Sequence, residues 1–268
     1  MAKDRILFIN QEITPYITAN PISSLGKFLP VSMQDKGFEV RTFMPKFGAV
    51  NERRNQLHEV IRLSGININI DDNDHPLVIK VASLQPARIQ VYFIDNDDYF
   101  QKLDTDVNPS GTNREDNDER AIFFSRGTME TAKKLRWEPK IIHASGWISS
   151  LIPLYVKRLY SDDLSFKNSK VVYSIQPAND MAPIDPKFFA KLKVEGISQR
   201  DLKKYASDTL DKNLLHKIGV DFAHAIIVND PEIDAALLEY IQASGKPVLM
   251  AQDMALDADK YLEFYNSL

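Results

Sequence analysis

Along this chain, short unbroken apolar runs alternate with stretches whose apolar residues recur at helical spacing. Ile6 to Ile9 is such a run, as expected of a strand buried on both faces of a parallel sheet. A loop holding Pro15 and Pro21 follows, and Ser23 or Ser24 is then placed to cap a helix. Leu25, Leu29, Ser32 and Met33 share one face of that helix, and Gly37 supplies its stop. Pro30 within it predicts a kink or break, because proline lacks an amide donor and crowds the preceding turn. Phe38 to Met44 reads as a second strand. The order completes a βαβ unit with an expected right-handed crossover.

The middle is less regular. Residues 51–90 hold weakly alternating pieces, Ile66, Ile68 and Ile70 and then Val78 to Val81, separated by the acidic turn Asp71-Asp72-Asn73-Asp74. They predict hairpin strands inserted into an α/β layer. Arg88 to Asp95 is a further strand, and 101–118 reads as a long polar loop. A helix is predicted from Glu119, with Phe124, Thr128, Thr131, Ala132 and Leu135 on one face. Asp116 and Asp118 are its expected caps, and Lys133, Lys134 and Arg136 its solvated end. Strands follow at Lys140 to Ala144, Lys170 to Ile175, Ala225 to Val228 and Pro247 to Met250. Helices are expected over Leu151 to Tyr160 and from Asp230-Pro231-Glu232 through Ile241 to a stop at Gly245. The mixed prolines and charges of 176–212 predict no element. One α/β domain over 1–268 accounts for this order: a Rossmann-like, doubly wound, mostly parallel sheet with a small β insertion at about 51–90.

Composition narrows the class. With 268 residues and 44% hydrophobic content the chain can bury a full core. The net charge of −4 gives no basic surface for nucleic acid or an anionic membrane. The chain has no cysteine, which excludes disulfides and thiolate metal sites and fits a reducing compartment. The opening MAKDRILFIN is too short an apolar run for a secretory signal, and no window approaches 18 apolar residues. A cytoplasmic protein is expected.

Candidate chemistry is sparse. Asp95-Asn96-Asp97 matches the Asp-x-Asp pattern that binds a metal–diphosphate in some transferases, and equally reads as a polar turn after a strand. His143 either polarises a ligand or is a hydrogen-bonded structural histidine, and His58, His75, His216 and His224 lack metal-ligand spacing. Trp147, with Tyr16 and Tyr99, either stacks on a sugar face or packs beneath a helix. No metal site and no cofactor are expected.

Several ungapped stretches, in order, resemble the N-terminal half of bacterial glycogen synthases and plant starch synthases. They are EITPYITANPISSLGKFLP from Glu12 to Pro30, PKFG at 45–48, VYFIDNDDYF at 91–100, DNDERAIFFSR at 116–126 and WEPKIIHASGW at 137–147. LMAQDMALDADKYLEFY at 249–265 is similar to that family's hinge into a second domain, and the 268 residues hold no counterpart of the second domain itself. The resemblance implies half of a GT-B glycosyltransferase, acting in glucosyl transfer from a nucleotide sugar to an α-glucan. It also marks departures. The family's Lys-Thr-Gly-Gly-Leu loop is TANPI here, with Thr18 for the lysine and Asn20-Pro21 for the glycine pair. Its His-Asp turn is Ser145-Gly146, ahead of a retained Trp147, and its later histidine is Gln176. Threonine offers no cation to a diphosphate, and proline removes both a donor and backbone freedom. Tyr16, Asn20, His143, Trp147, Asp95 and Asp97 are binding candidates, while by that resemblance Thr18, Ser145, Gly146 and Gln176 are degenerate catalytic positions. Three functions follow: a synthase-like domain inactive alone and needing a partner chain, a glucan-binding pseudoenzyme, or an interaction module that docks on a synthase or on itself.

Overall fold

The four residues Ile6 to Ile9 of β1 (Arg5–Ile9) are wholly buried, because the strand has a parallel neighbour on each side, β2 (Glu39–Pro45) and β7 (Ile141–Ser145). Burying each such side chain stabilises the fold by about 1.5–3 kcal/mol. The structure is a computed structural model and describes residues 3–101, 108–178, 180–193, 196–205, 210 and 213–268. The predicted polar loop at 101–118 falls partly outside the described residues, at 102–107.

Beyond β7 the sheet continues through β8 (Lys170–Ile175) and β9 (Ala225–Val228) to β10 (Val248–Met250), all parallel. On the other side β2 pairs with parallel β6 (Ile89–Asp95), which meets antiparallel β5 (Asn73–Leu84). β3 (His58–Glu59) and β4 (Ile66–Ile70) both pair antiparallel with β5. The result is a mixed, mostly parallel sheet flanked by helices, with the expected β insertion at one end. Eight α-helices lie among the described residues: α1 (Pro21–Asp35), α2 (Asn117–Lys134), α3 (Ile152–Arg158), α4 (Phe188–Lys191), α5 (Gln199–Leu202), α6 (Leu214–Phe222), α7 (Ala235–Ala243) and α8 (Ala258–Asn266). None of the described helices is long and apolar enough to cross a membrane.

Several expectations are corrected. α1 is capped by Asn20, not by Ser23 or Ser24: the Asn20 side chain accepts from the Ser23 amide at 2.8 Å, and Ser23 Oγ accepts from the Asn20 amide at 3.0 Å. That reciprocal box, with Pro21 in the first turn, starts the helix before either serine. Nor does Pro30 break it. The Gly26 carbonyl that Pro30 cannot bond accepts from Asn10 Nδ2 at 3.3 Å, so a side chain from the end of β1 replaces the lost backbone partner. The turn between β4 and β5 is Asp71-Asp72 alone, both at positive φ, and Asn73 and Asp74 already belong to β5. Asp116 makes no side-chain cap on α2 and pairs with Arg114, while Asp118 is buried against Lys191. Lys133 meets Asp163, and so is not simply solvated. α7 begins at Ala235 under the Asp234 cap, later than Asp230.

The 249–268 segment folds back on the domain. α8 packs against α1, Tyr261 accepts from Asn229 Nδ2 at 2.7 Å, and Tyr265 OH lies 2.6 Å from His143 Nδ1.

Candidate functional site

The chain leaves β1 for β2 on one side, yet β7 lies on the other, so strand order reverses between β1 and β7. A doubly wound sheet opens its ligand crevice at the carboxyl ends of the strands at such a point. Here those ends carry uncharged polar groups: Asn10 and Gln11 after β1, Ser145 and Gly146 at β7, Gln176 after β8 and Asn229 after β9. Asn10, Gln176 and Asn229 directly follow apolar strand runs, a signal that sequence reading did not use: it reached Gln176 through the family resemblance and missed Asn10, Gln11 and Asn229.

Gly146 has φ +84 and its amide donates to the Ser174 carbonyl at 2.9 Å, which turns the chain off β7. A Cβ there would stand 2.4 Å from Gln11 Oε1, so Gln11 fills the space that the missing side chain leaves. Gln11 Oε1 and Gln176 Oε1 are both buried without a hydrogen-bond partner. Ser145 lies in the same buried layer, in register with Ser174, whose hydroxyl bonds to Asn229 Oδ1. Asn229 Nδ2 also reaches the Ala251 carbonyl at 3.2 Å.

The loop after β1 is closed on itself. Asn20 Nδ2 donates to Glu12 Oε2 at 2.7 Å, and Glu12 is buried. Burial raises the Glu12 carboxyl above its usual range, opposed by hydrogen bonds from Asn20 and Gln11. Gly26 packs so tightly on this loop that a Cβ would lie 2.1 Å from the Glu12 carbonyl oxygen. Thr18 is exposed at the rim.

The other candidates are placed as follows. Trp147 has no exposed surface and lies under the guanidinium of Arg120, 5.4 Å from its ring centroid, so it offers no face to a sugar. Arg120, unremarked in the sequence, is itself buried and is held by the carbonyls of Tyr99, Ser110 and Gly111. Tyr99 is buried too, bonded to Glu119 at 2.9 Å. His143 is 1% exposed. Its burial pushes the imidazole down to about 3, which keeps it neutral with Tyr265 at Nδ1 and nothing at Nε2. Asp95 is spent on Lys80 at 2.8 Å and on Gln101, which donates at 2.8 Å. Asn96 Oδ1 caps the π-helical turn Asp97–Gln101, and only Asp97 of the three faces solvent. No cluster of metal-ligating side chains occurs among the described residues. Tyr16 packs edge-on against Phe93 at 4.9 Å and lines a recess away from the β7 crevice.

Comparison with known proteins places this geometry. A glycogen synthase of Chlorobium limicola is 35% identical over 196 residues, 72% of this chain and 40% of the relative. One from Chlorobaculum tepidum is 31% identical over 261 residues, 90% of this chain and 51% of the relative. The chain thus spans about half or less of the length of these two relatives. The catalytic domain of starch synthase IV from Arabidopsis thaliana, solved bound to ADP and acarbose, superposes with a TM-score of 0.72 at 15% identity, covering 94% of this chain and 53% of that one. That likeness shows the fold, a mixed sheet of mostly parallel strands with flanking helices as in GT-B glycosyltransferases. Residues 5–245 match the starch synthase catalytic domain family, and the chain belongs to it as a glycogen and starch synthase-like domain.

Proposed function

We propose that this domain serves α-glucan metabolism in the cytoplasm as a pseudoenzyme, and does not by itself transfer glucosyl units from a nucleotide sugar. The observation that carries this reading is the closed loop between β1 and α1. A helix N-terminus binds phosphate through free backbone amides and the positive end of its dipole. At α1 the Asn20 carboxamide already holds the Ser23 amide, and Pro21 brings no amide. Thr18, Ser145, Gly146 and Gln176 add no charge to offset a diphosphate. Transfer would then need a further protein surface, from a second domain reached through the 249–268 segment, a partner chain or a second copy. ADP and acarbose bound to the Arabidopsis enzyme support nucleotide sugar and glucan as the ligands of a competent assembly.

The test is incorporation of radiolabelled glucose from ADP-glucose and from UDP-glucose into glycogen by the purified chain. The expected result is none above a boiled control. Incorporation that Gln176→Ala removes would overturn the reading.

A second reading, retention of glucan without reaction, is favoured by the unpaired buried acceptors Gln11 Oε1 and Gln176 Oε1. Both atoms are shut off from solvent, so a sugar hydroxyl would donate to them only once the crevice opens. Electrophoresis through glycogen-containing gels separates the readings: retardation that Gln176→Ala abolishes supports retention, and unchanged mobility sinks it.

A further inference from the structure

Away from the β7 crevice, a polar groove of about 600 Å³ runs between the loop after β1 and the inserted strands β3 and β5. It is lined among others by Tyr16, Arg54, Gln56, His58, Arg88 and Gln90. A recess of about 390 Å³ adjoins it and shares Tyr16 and Arg54. Volumes of this order hold small ligands. No lining residue of either comes from β7, β8 or β9.

Its charge is unlike that of the whole molecule. The chain carries 37 acidic against 33 basic residues, yet no aspartate or glutamate lines either recess. Arg54 and Arg88 are both exposed, and neither guanidinium has an ion-pair partner among the described residues. Two guanidiniums in one concave surface without a carboxylate set a positive potential, and their planar donor forks match phosphate oxygens.

The rest of the groove is built for hydroxyls. The Tyr16 ring is fixed against Phe93, while its hydroxyl makes no hydrogen bond to the protein among the described residues. Burial lifts the phenol to about 12, so it remains protonated and able both to donate and to accept. Gln56 and Arg88 each sit at positive φ, 53° and 58°.

We infer that this groove is a binding site for a phosphorylated sugar, with Arg54 and Arg88 holding the phosphate and Tyr16 and Gln56 the hydroxyls. The groove and its adjoining recess share the loop after β1 with the reading above but take no residue from β7, β8 or β9, and binding measured without transfer tells the two apart.

The test is isothermal titration of the full chain with glucose 1-phosphate, maltotriose and inorganic phosphate, each at 150 mM salt. Glucose 1-phosphate is expected to bind, and Arg54→Ala and Arg88→Ala each to weaken it about tenfold or more, as befits loss of a charge-assisted contact. Tyr16→Phe should weaken it severalfold. Arg53→Ala, an exposed neighbour that lines neither recess, should leave it unchanged, and thermal melts of all variants check folding. Three results overturn the proposal: no binding of glucose 1-phosphate, maltotriose bound as tightly and indifferent to both arginines, or inorganic phosphate bound as tightly as the sugar phosphate.

Discussion

Gly146 and Gln11 show how single residues shape the crevice. A side chain at 146 meets two obstacles at once, a left-handed φ of +84 and Gln11, whose Cβ would lie 2.9 Å away and whose Oε1 2.4 Å away. The backbone share costs about 1–2 kcal/mol and the overpacking about 1–3 kcal/mol. Gly146→Ala is therefore expected to lose about 2–5 kcal/mol, read from urea unfolding. Adding Gln11→Ala should recover the part of the packing share owed to the carboxamide, and leave both the backbone share and the contact with the remaining Cβ at 2.9 Å. A Gly146→Ala loss limited to the backbone share of about 1–2 kcal/mol would show that Gln11 simply swings away. Trp147 makes a related point. Its tryptophan and its place after a strand were legible in the sequence, but not its direction, since stacking on sugar and packing beneath a helix require the same residue. The structure buries it fully under Arg120. Trp147→Ala should cost about 3–5 kcal/mol, which a thermal melt would reveal. Loss of any ligand in that variant would report unfolding, whereas Trp147→Phe keeps most of the volume and is the informative change.

At the scale of elements, β1 and α1 are joined through a polar substitution. Pro30 removes the donor that would hold the Gly26 carbonyl, and Asn10 supplies another from the strand end, with its amide also 3.2 Å from Thr42 Oγ1. Asn10→Ala would strand a buried carbonyl at a cost of about 1–3 kcal/mol. In a Pro30→Ala background the helix regains its own donor, so the same change should cost about 1 kcal/mol less. Strict additivity in that double-mutant cycle would show that Asn10 is not the replacement partner. The strands were readable because buried parallel strands are written as apolar runs, and β1, β8 and β9 fall where those runs fall. Helix starts were less readable. Asn20, two prolines and three hydroxyl residues compete around α1, and Asn20 becomes the cap through its reciprocal box with Ser23, its Nδ2 being held by Glu12. The short helices α4 and α5 were not readable at all, since four residues carry no periodicity.

For the whole molecule, the sheet and its insertion were legible, whereas the return of the chain end was not: α8 is held by contacts distant in sequence, among them the pairing of His143 with Tyr265, 122 positions apart. These buried histidines also set how the entire fold responds to acid. Burial lowers His143 to about 3 and His216 to about 4 from an ordinary 6.5, so both stay neutral when folded. His216 Nδ1 lies 2.7 Å from Tyr173 OH in the core beside β8. Unfolded, each would take up a proton near pH 6.5. Between pH 6.5 and about 4 the unfolded chain therefore binds more protons than the folded one, and stability is complete above that window and falls as pH drops through it. The slope approaches about 1.4 kcal/mol per pH unit for each histidine. Glu12 and Asp118 act in the opposite sense: burial raises them, so the stability they add is present at low pH and fades as pH rises. Carboxylates held low, such as Glu52 and Asp201, lose their contribution only below their ordinary values of 4.5 and 3.8. The histidines thus control the decline between neutrality and pH 5. His216→Asn keeps an acceptor for Tyr173 but has no proton to gain, and urea midpoints at pH 7.5, 6 and 5 should show its stability falling less steeply than that of the parent. Parallel curves for the two proteins would mean that His216 is already protonated in the fold, and that water or a charge reaches the core beside β8.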